Sequence, residues 1–212
     1  MDISRFKQLP IMGILRGIEL NSIKPLIKEA IIPSGLKTIE ITMNTTNAPE
    51  KIREAIKTSE GKLTIGAGTV LNMHDLKSAL SSGATFIVMP VLIQDVLEYC
   101  IKNKIPAFPG AFSPQEIYTA WNRGASMVKI FPAKFLGPEY FKEIRGPFKD
   151  IELLACGGIT PKNLGSYITS GANAISFGAS VFQKDWLLNN DFRSIKQSID
   201  AYLQQLNALI FN

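Results

Sequence analysis

Gly124-Ala125-Ser126-Met127-Val128-Lys129-Ile130-Phe131 decides the fold. The glycine ends a stretch of helical pattern. Lacking Cβ, it adopts the left-handed conformation that commonly stops a helix. The apolar run after it reads as a short buried strand. The same punctuation recurs: Gly35 precedes Lys37-Thr38-Ile39-Glu40-Ile41, Gly83 precedes Thr85-Phe86-Ile87-Val88-Met89, and Gly171 precedes Asn173-Ala174-Ile175-Ser176-Phe177.

With the less regular cases included, eight strand cores fall near Ile14, Glu40, Ile65, Ile87, Ala107, Lys129, Leu154 and Ile175. They lie about 20 to 26 residues apart, room for one strand, one helix and two short loops. Amphipathic stretches such as Pro49 to Thr58, Asp75 to Ser82 and Gln94 to Lys104 fill the gaps. Strand–helix alternation implies a parallel sheet. Eight units without a linker or an edge-like strand predict an α/β fold, one (β/α)8 TIM barrel spanning residues 1–212 as a single domain. A short helix before Pro10 is expected to close the barrel bottom. Residues past Trp186 predict a last amphipathic helix, with Ile195, Ile199, Leu203 and Leu206 on one stripe.

Hydrophobic residues make up 46% of the chain and charged ones 19%, the balance of a soluble globular protein. The longest apolar run falls short of the roughly 18 residues of a membrane span. Met1 to Pro10 lacks a signal-peptide core, so a cytoplasmic protein is expected. Cys100 and Cys156 have no metal-ligand spacing and read as free thiols of a reducing compartment. The net charge of +5 is scattered along the chain, which argues against a nucleic-acid partner and suits small anions. His74 follows Asn72, which reads as a helix N-cap, so His74 is placed at the surface.

Barrel strands are buried on both faces, so a charge at a strand centre is costly unless paired or used. Glu40 stands between Ile39 and Ile41, and Lys129 between Val128 and Ile130. If the β-branched neighbours pack on the helices, both charges point inward. They could form a self-neutralising ion pair or carry chemistry. A lysine amine is nucleophilic only when neutral, and burial in an apolar barrel is expected to lower its pKa. An imine formed on Lys129 would draw electrons from a neighbouring carbon–carbon bond, with Glu40 as the proton shuttle.

Cys156-Gly157-Gly158-Ile159-Thr160-Pro161 closes strand seven, and Ser176-Phe177-Gly178-Ala179-Ser180 closes strand eight. Loops at these two places in such barrels commonly bind phosphate through backbone N–H groups, although each glycine could simply serve a turn. Arg16, at the end of strand one beside strand eight, could offer its fork to the same anion or to a carboxylate. Gly66-Ala67-Gly68-Thr69 is expected to follow strand three, with the Thr69 hydroxyl at the barrel mouth. Pro90, Pro109 and Pro132 are expected to follow strands and stiffen that rim.

These residues resemble the 2-keto-3-deoxy-6-phosphogluconate aldolases and their relatives acting on the phosphogalactonate isomer and on 4-hydroxy-2-oxoglutarate. The resemblance runs from about Leu9 to Ser180. It is carried by Ile14-Leu15-Arg16-Gly17-Ile18, Ile39-Glu40-Ile41-Thr42, Gly66-Ala67-Gly68-Thr69-Val70-Leu71, Pro109-Gly110, Val128-Lys129-Ile130-Phe131-Pro132-Ala133 and Gly157-Gly158-Ile159-Thr160. It implies a class I aldolase, a lyase in which Lys129 forms the imine and Glu40 is the general acid/base. The products would be pyruvate and glyceraldehyde 3-phosphate, or pyruvate and glyoxylate from the hydroxy acid. It further implies that Thr69, Pro90 and Phe131 hold the pyruvate half; Arg16 and Thr160 are likewise expected on the substrate. Gly157, Gly158, Gly178 and Ser180 would bind phosphate. The resemblance implies no metal, no other cofactor and a homotrimer.

Asn44 stands where the phosphogluconate enzymes carry an arginine, and Cys156 where they have threonine and the phosphogalactonate branch valine. Substrate choice therefore stays open. Two further readings compete: a phosphate-binding barrel isomerase or epimerase without an imine, and a non-catalytic sugar-phosphate-binding barrel.

Overall fold

All eight expected strand cores lie in strands of the computed structural model, which describes residues 1–210. The strands are β1 Ile11–Leu15, β2 Thr38–Thr42, β3 Thr64–Gly68, β4 Ile87–Val88, β5 in two pieces (Ala107–Phe108 and Gly110–Ala111), β6 Val128–Ile130, β7 Leu153–Cys156 and β8 Ala174–Phe177. Each pairs in parallel with its sequence neighbour, and β1 pairs with β8 through Ile11↔Ile175. The barrel closes through β5. Ala107–Phe108 pairs with β4, Gly110–Ala111 pairs with β6, and the Pro109 carbonyl between them accepts from the Lys129 N–H at 2.9 Å. Pro109 therefore interrupts a strand instead of following one, because it has no N–H to give to the ladder.

The helices are α1 Ile3–Gln8, α2 Leu20–Leu26 (running on through a π-helical turn at Ile27–Ile31 into Ile32–Ser34), α3 Ala48–Ser59, α4 Met73–Ser81, α5 Gln94–Lys102, α6 Pro114–Asn122, α7 Gly137–Arg145, α8 Leu164–Thr169, α9 Lys184–Leu188 and α10 Phe192–Ile210. Gly35, Gly83, Gly124 and Gly171, the four punctuating glycines, all have φ between 90° and 108°. The Asn72 side chain caps α4 by accepting from the Asp75 N–H at 2.9 Å, and His74 is exposed. Trp186 lies in α9, and the final helix begins later, at Phe192, after Asn190 breaks the chain with φ 52°. Ile195, Ile199, Leu203 and Leu206 of α10 are buried as one stripe. Among the described residues, no helix is long and apolar enough to cross a membrane.

Strand parity separates two cores. Ile39, Ile41, Val128 and Ile130 belong to the cluster packed with the helices. Met12, Phe86, Val88, Phe108, Met127, Leu154 and Ala174 fill the lower barrel interior together with Phe6 of α1. The Phe6 and Phe108 rings meet edge-on at 6.0 Å, and Phe86 meets Phe108 at 5.9 Å. Asp2 starts α1 by accepting from the Ser4 N–H, which holds Phe6 in the barrel floor. Among these inward positions, Glu40 and Lys129 face each other's half of the barrel above the apolar floor.

Candidate active site

Polar side chains occupy the interior toward the C-terminal ends of the strands: Glu40 and Thr42 from β2, Lys129 from β6, Cys156 from β7 and Ser176 from β8, all buried. Glu40 is 1% exposed and Lys129 6%. Gly66 and Gly68 make room for this stack. They belong to β3 and do not follow it, with Gly66 paired to Glu40 and Gly68 to Thr42. A Cβ at Gly68 would stand 2.3 Å from Glu40 Oε1, and one at Gly66 would meet the Phe86 ring at 2.5 Å. Glycine in a strand interior marks such close approach.

Among the described residues, no salt bridge joins Glu40 to Lys129. Glu40 Oε2 is buried without a hydrogen-bond partner. Burial pushes the Glu40 carboxyl above its ordinary range, against the opposing pull of Lys129 and Arg16. Burial also presses the Lys129 ammonium down, but Cys156 and Glu40 beside it outweigh that, and the net direction is up despite Arg16. Desolvation thus acts on Lys129 as expected, and its neighbours from β2 and β7 act against it. A raised Lys129 pKa favours its charged form, so attack on a carbonyl requires that the amine first give up a proton.

The surrounding residues come from the ends of several strands. Arg16, exposed after β1, donates from Nη2 to Thr69 Oγ1 at 3.4 Å. Thr69 holds φ 54°, a left-handed conformation that costs a β-branched residue on the order of 1–3 kcal/mol. A Cβ at Gly110 would stand 2.0 Å from the Pro90 carbonyl oxygen, so Pro90 lies directly on Gly110, which pairs with Lys129. The Phe131 ring centroid is 5.4 Å from Lys129 Nζ, within cation–π range.

A cavity of about 1090 Å³ opens beside this stack. Of the expected residues, Arg16, Phe131, Gly157, Gly158, Thr160, Gly178 and Ser180 line it, and so does Cys156. Lys129 and Glu40 lie in the adjoining barrel interior, and Thr69 and Pro90 sit on the far rim after β3 and β4; none of the four lines the cavity. Gly157 and Gly158 have φ of 93° and 82°, as a tight turn needs. Among the described residues, the N–H groups of Gly157, Gly158, Gly178, Ala179 and Ser180 donate to none of the loop carbonyls. They lie at the ends of β7 and β8, beside the cavity.

Two expected contributors are partly committed elsewhere. α8 begins at Leu164, and in the turn before it the Thr160 N–H donates to Asn163 Oδ1 at 2.7 Å. Ser180 Oγ lies 2.9 Å from the Tyr202 hydroxyl of α10, which itself donates to the Ile159 carbonyl at 2.6 Å. Tyrosine has one hydroxyl hydrogen, so Ser180 is the donor in that pair and offers an anion its backbone N–H. Sequence reasoning missed the Tyr202 tie, for which no local signal exists. It also passed over Cys156 as a neighbour of Lys129, although the parity rule that turned Lys129 inward turns Leu154 and Cys156 inward as well.

Residues 3–198 match the family model described as KDPG and KHG aldolase. The 2-dehydro-3-deoxy-6-phosphogalactonate aldolase of Escherichia coli strain K12 is 29% identical over 196 residues, covering 92% of this chain and 95% of its own. The 2-dehydro-3-deoxy-phosphogluconate aldolase of Haemophilus influenzae is 30% identical over 204 residues, with 93% and 95% covered. A solved structure described as native KDPGal superposes with a TM-score of 0.89 at 27% identity, covering 97% of this chain and 98% of that one. A thiamine phosphate pyrophosphorylase from Pyrococcus furiosus shares the fold alone, at a TM-score of 0.73 and 15% identity over 96% of this chain and 98% of that one.

Proposed function

The chain belongs to the KDPG and KHG aldolase family of carbon–carbon lyases, and from that premise we propose that it cleaves a 2-keto-3-deoxy-6-phospho sugar acid to pyruvate and glyceraldehyde 3-phosphate through an imine on Lys129. One observation carries the reading: a buried lysine and a buried carboxylate share the barrel interior without forming an ion pair, and one carboxylate oxygen has no partner. A pair retained for structure would join the two charges; here they stay apart, and Glu40 is left free to move a proton.

Glu40, its affinity for protons raised by burial, accepts one from the Lys129 ammonium. The neutral amine attacks the C2 carbonyl and expels water, giving a protonated imine. Glu40 returns its proton as that water leaves, and then takes the C4 hydroxyl proton. The C3–C4 bond breaks, its electrons move into the imine as an enamine, and the aldehyde departs. Glu40 passes that proton to C3 of the enamine, and water hydrolyses the resulting imine, releasing pyruvate and restoring the Lys129 ammonium and the Glu40 carboxylate. In this reading Thr69, Pro90 and Phe131 position the pyruvate half, with Arg16 and Thr160 on the remainder. The late-loop amides of Gly157, Gly158, Gly178 and Ser180 hold the phosphate. The same reading carries a homotrimer in the cytoplasm, to be checked by light scattering at working concentration.

Incubation with pyruvate and borohydride, followed by mass spectrometry, tests the imine. A reduced pyruvate adduct is expected on the native chain and none on Lys129→Ala; an adduct that survives that substitution overturns the assignment. Comparing kcat/KM for the two C4 epimers and for 4-hydroxy-2-oxoglutarate identifies the substrate.

A further inference from the structure

We infer that Lys134 is a specificity residue of this site, supplying the side-chain charge that recognises the phosphate at the far end of the substrate; the inference rests on the aldolase reading above. Lys134 lies in the 3-10 turn Ala133–Phe135 after β6, and its backbone N–H donates to the Gly157 carbonyl at 2.9 Å. Its stem lies directly on Gly158. A Cβ at Gly158 would stand 2.4 Å from Lys134 Cβ, 3.0 Å from Cδ and 3.1 Å from Cγ. Gly158 thus both turns the loop and leaves the space through which the lysine stem crosses it. The turn after β6 and the loop after β7 are thereby tied together, and the lysine is anchored to the segment to which the proposed function assigns the phosphate.

The amine itself is uncommitted. Lys134 Nζ lies 4.8 Å from the Phe135 ring centroid, and among the described residues it pairs with no carboxylate. It is exposed and lines the cavity. The charged residues around that cavity are Arg16, Lys134 and Lys184 against Glu19, an excess of positive charge. Arg16 is drawn toward Thr69 on the far rim, and Lys184 comes from α9, whereas the atoms nearest a Cβ at Gly158 all belong to Lys134. Lys134 is the cation built onto the cradle. A phosphate monoester carries about −1.5 to −2 near pH 7, and lysine binds it as a point charge. Backbone amides supply direction, and Lys134 supplies the charge that separates a phosphorylated substrate from the same sugar acid without its phosphate.

The test compares kcat/KM for the phosphorylated sugar acid and its phosphate-free counterpart in the native chain, Lys134→Ala, Lys134→Arg and Lys142→Ala. Lys142 is a remote exposed lysine beside Glu139, and its loss changes net charge equally. In Lys134→Ala, the ratio of phosphorylated to phosphate-free kcat/KM is expected to fall about tenfold, mainly through KM. Lys134→Arg should retain most of that ratio, and Lys142→Ala should leave it near native. An unchanged ratio in Lys134→Ala overturns the inference, as does an equal fall in Lys142→Ala. Pyruvate trapping by borohydride, run on every variant, keeps the two readings apart: failure to trap on the native chain defeats the imine, whereas trapping with an unchanged ratio defeats Lys134 alone.

Discussion

Glu40 occupies a place where water cannot solvate it, and the proposed chemistry depends on that. A carboxylate with a raised pKa is a better proton acceptor near neutral pH than an exposed one. The sign follows directly. As pH falls through the raised pKa, Glu40 becomes protonated and can no longer take the hydroxyl proton, so activity drops at higher pH than an ordinary carboxylate would give. Glu40→Gln is expected to slow turnover by roughly 10²- to 10⁴-fold and to abolish that acid limb, while pyruvate remains trappable on Lys129 at a slower rate, with water taking the ammonium proton. A pH profile of kcat/KM for both chains checks it, and an acid limb that persists in the variant excludes Glu40 as its source. Both residues were legible because strand parity needs only the identity of neighbours at spacing two. The direction of the Lys129 shift was not, since it depends on which groups from β2 and β7 meet it, and register between distant strands is not written in either strand.

Strand β3 separates stability from function within three residues. Gly66 and Gly68 point the same way, one under Phe86 and the other under Glu40. Gly66→Ala forces a methyl into an aromatic ring of the packed interior and is expected to cost about 1–3 kcal/mol, read as a lower urea midpoint. Gly68→Ala displaces the Glu40 carboxylate, the end of a side chain that can swing. It should lower kcat well beyond any change in the midpoint. If both variants lose stability equally and keep kcat, the carboxylate does not use the position that Gly68 leaves open. The positions of strands and helices were legible because the helix-stopping glycines repeat. Pro109 misled because proline is read as strand punctuation, yet in a barrel it can sit inside a strand whose two halves pair with different neighbours. The gap between α9 and α10 was equally hidden, since the sequence between Leu188 and Phe192 holds neither glycine nor proline.

Across the whole molecule, α10 is more than a cover. Its apolar stripe packs on the barrel's outer shell, and Tyr202 reaches through to bridge Ile159 and Ser180 at the ends of β7 and β8. Tyr202→Phe keeps the ring and removes two hydrogen bonds, one of them from a buried carbonyl. The expected cost is about 1–2 kcal/mol in thermal or urea unfolding. KM for a phosphorylated substrate should rise several-fold with kcat nearly unchanged. A KM equal to that of the native chain would show that the late loops hold their shape without the helix. The stripe was legible as a period of apolar residues; its single polar tooth was not, because a tyrosine in such a stripe reads only as bulk.

At the opposite end, α1 and the aromatic floor of Phe6, Phe86 and Phe108 make the barrel a blind well. A blind well has one doorway, so molecules queue. The fragment bonded to Lys129 lies innermost and the phosphate-bearing fragment nearest the exit, so on the proposed chemistry the aldehyde must leave first and pyruvate last. In the synthetic direction the queue reverses: pyruvate has to enter before the aldehyde, and an aldehyde that arrives early blocks the passage.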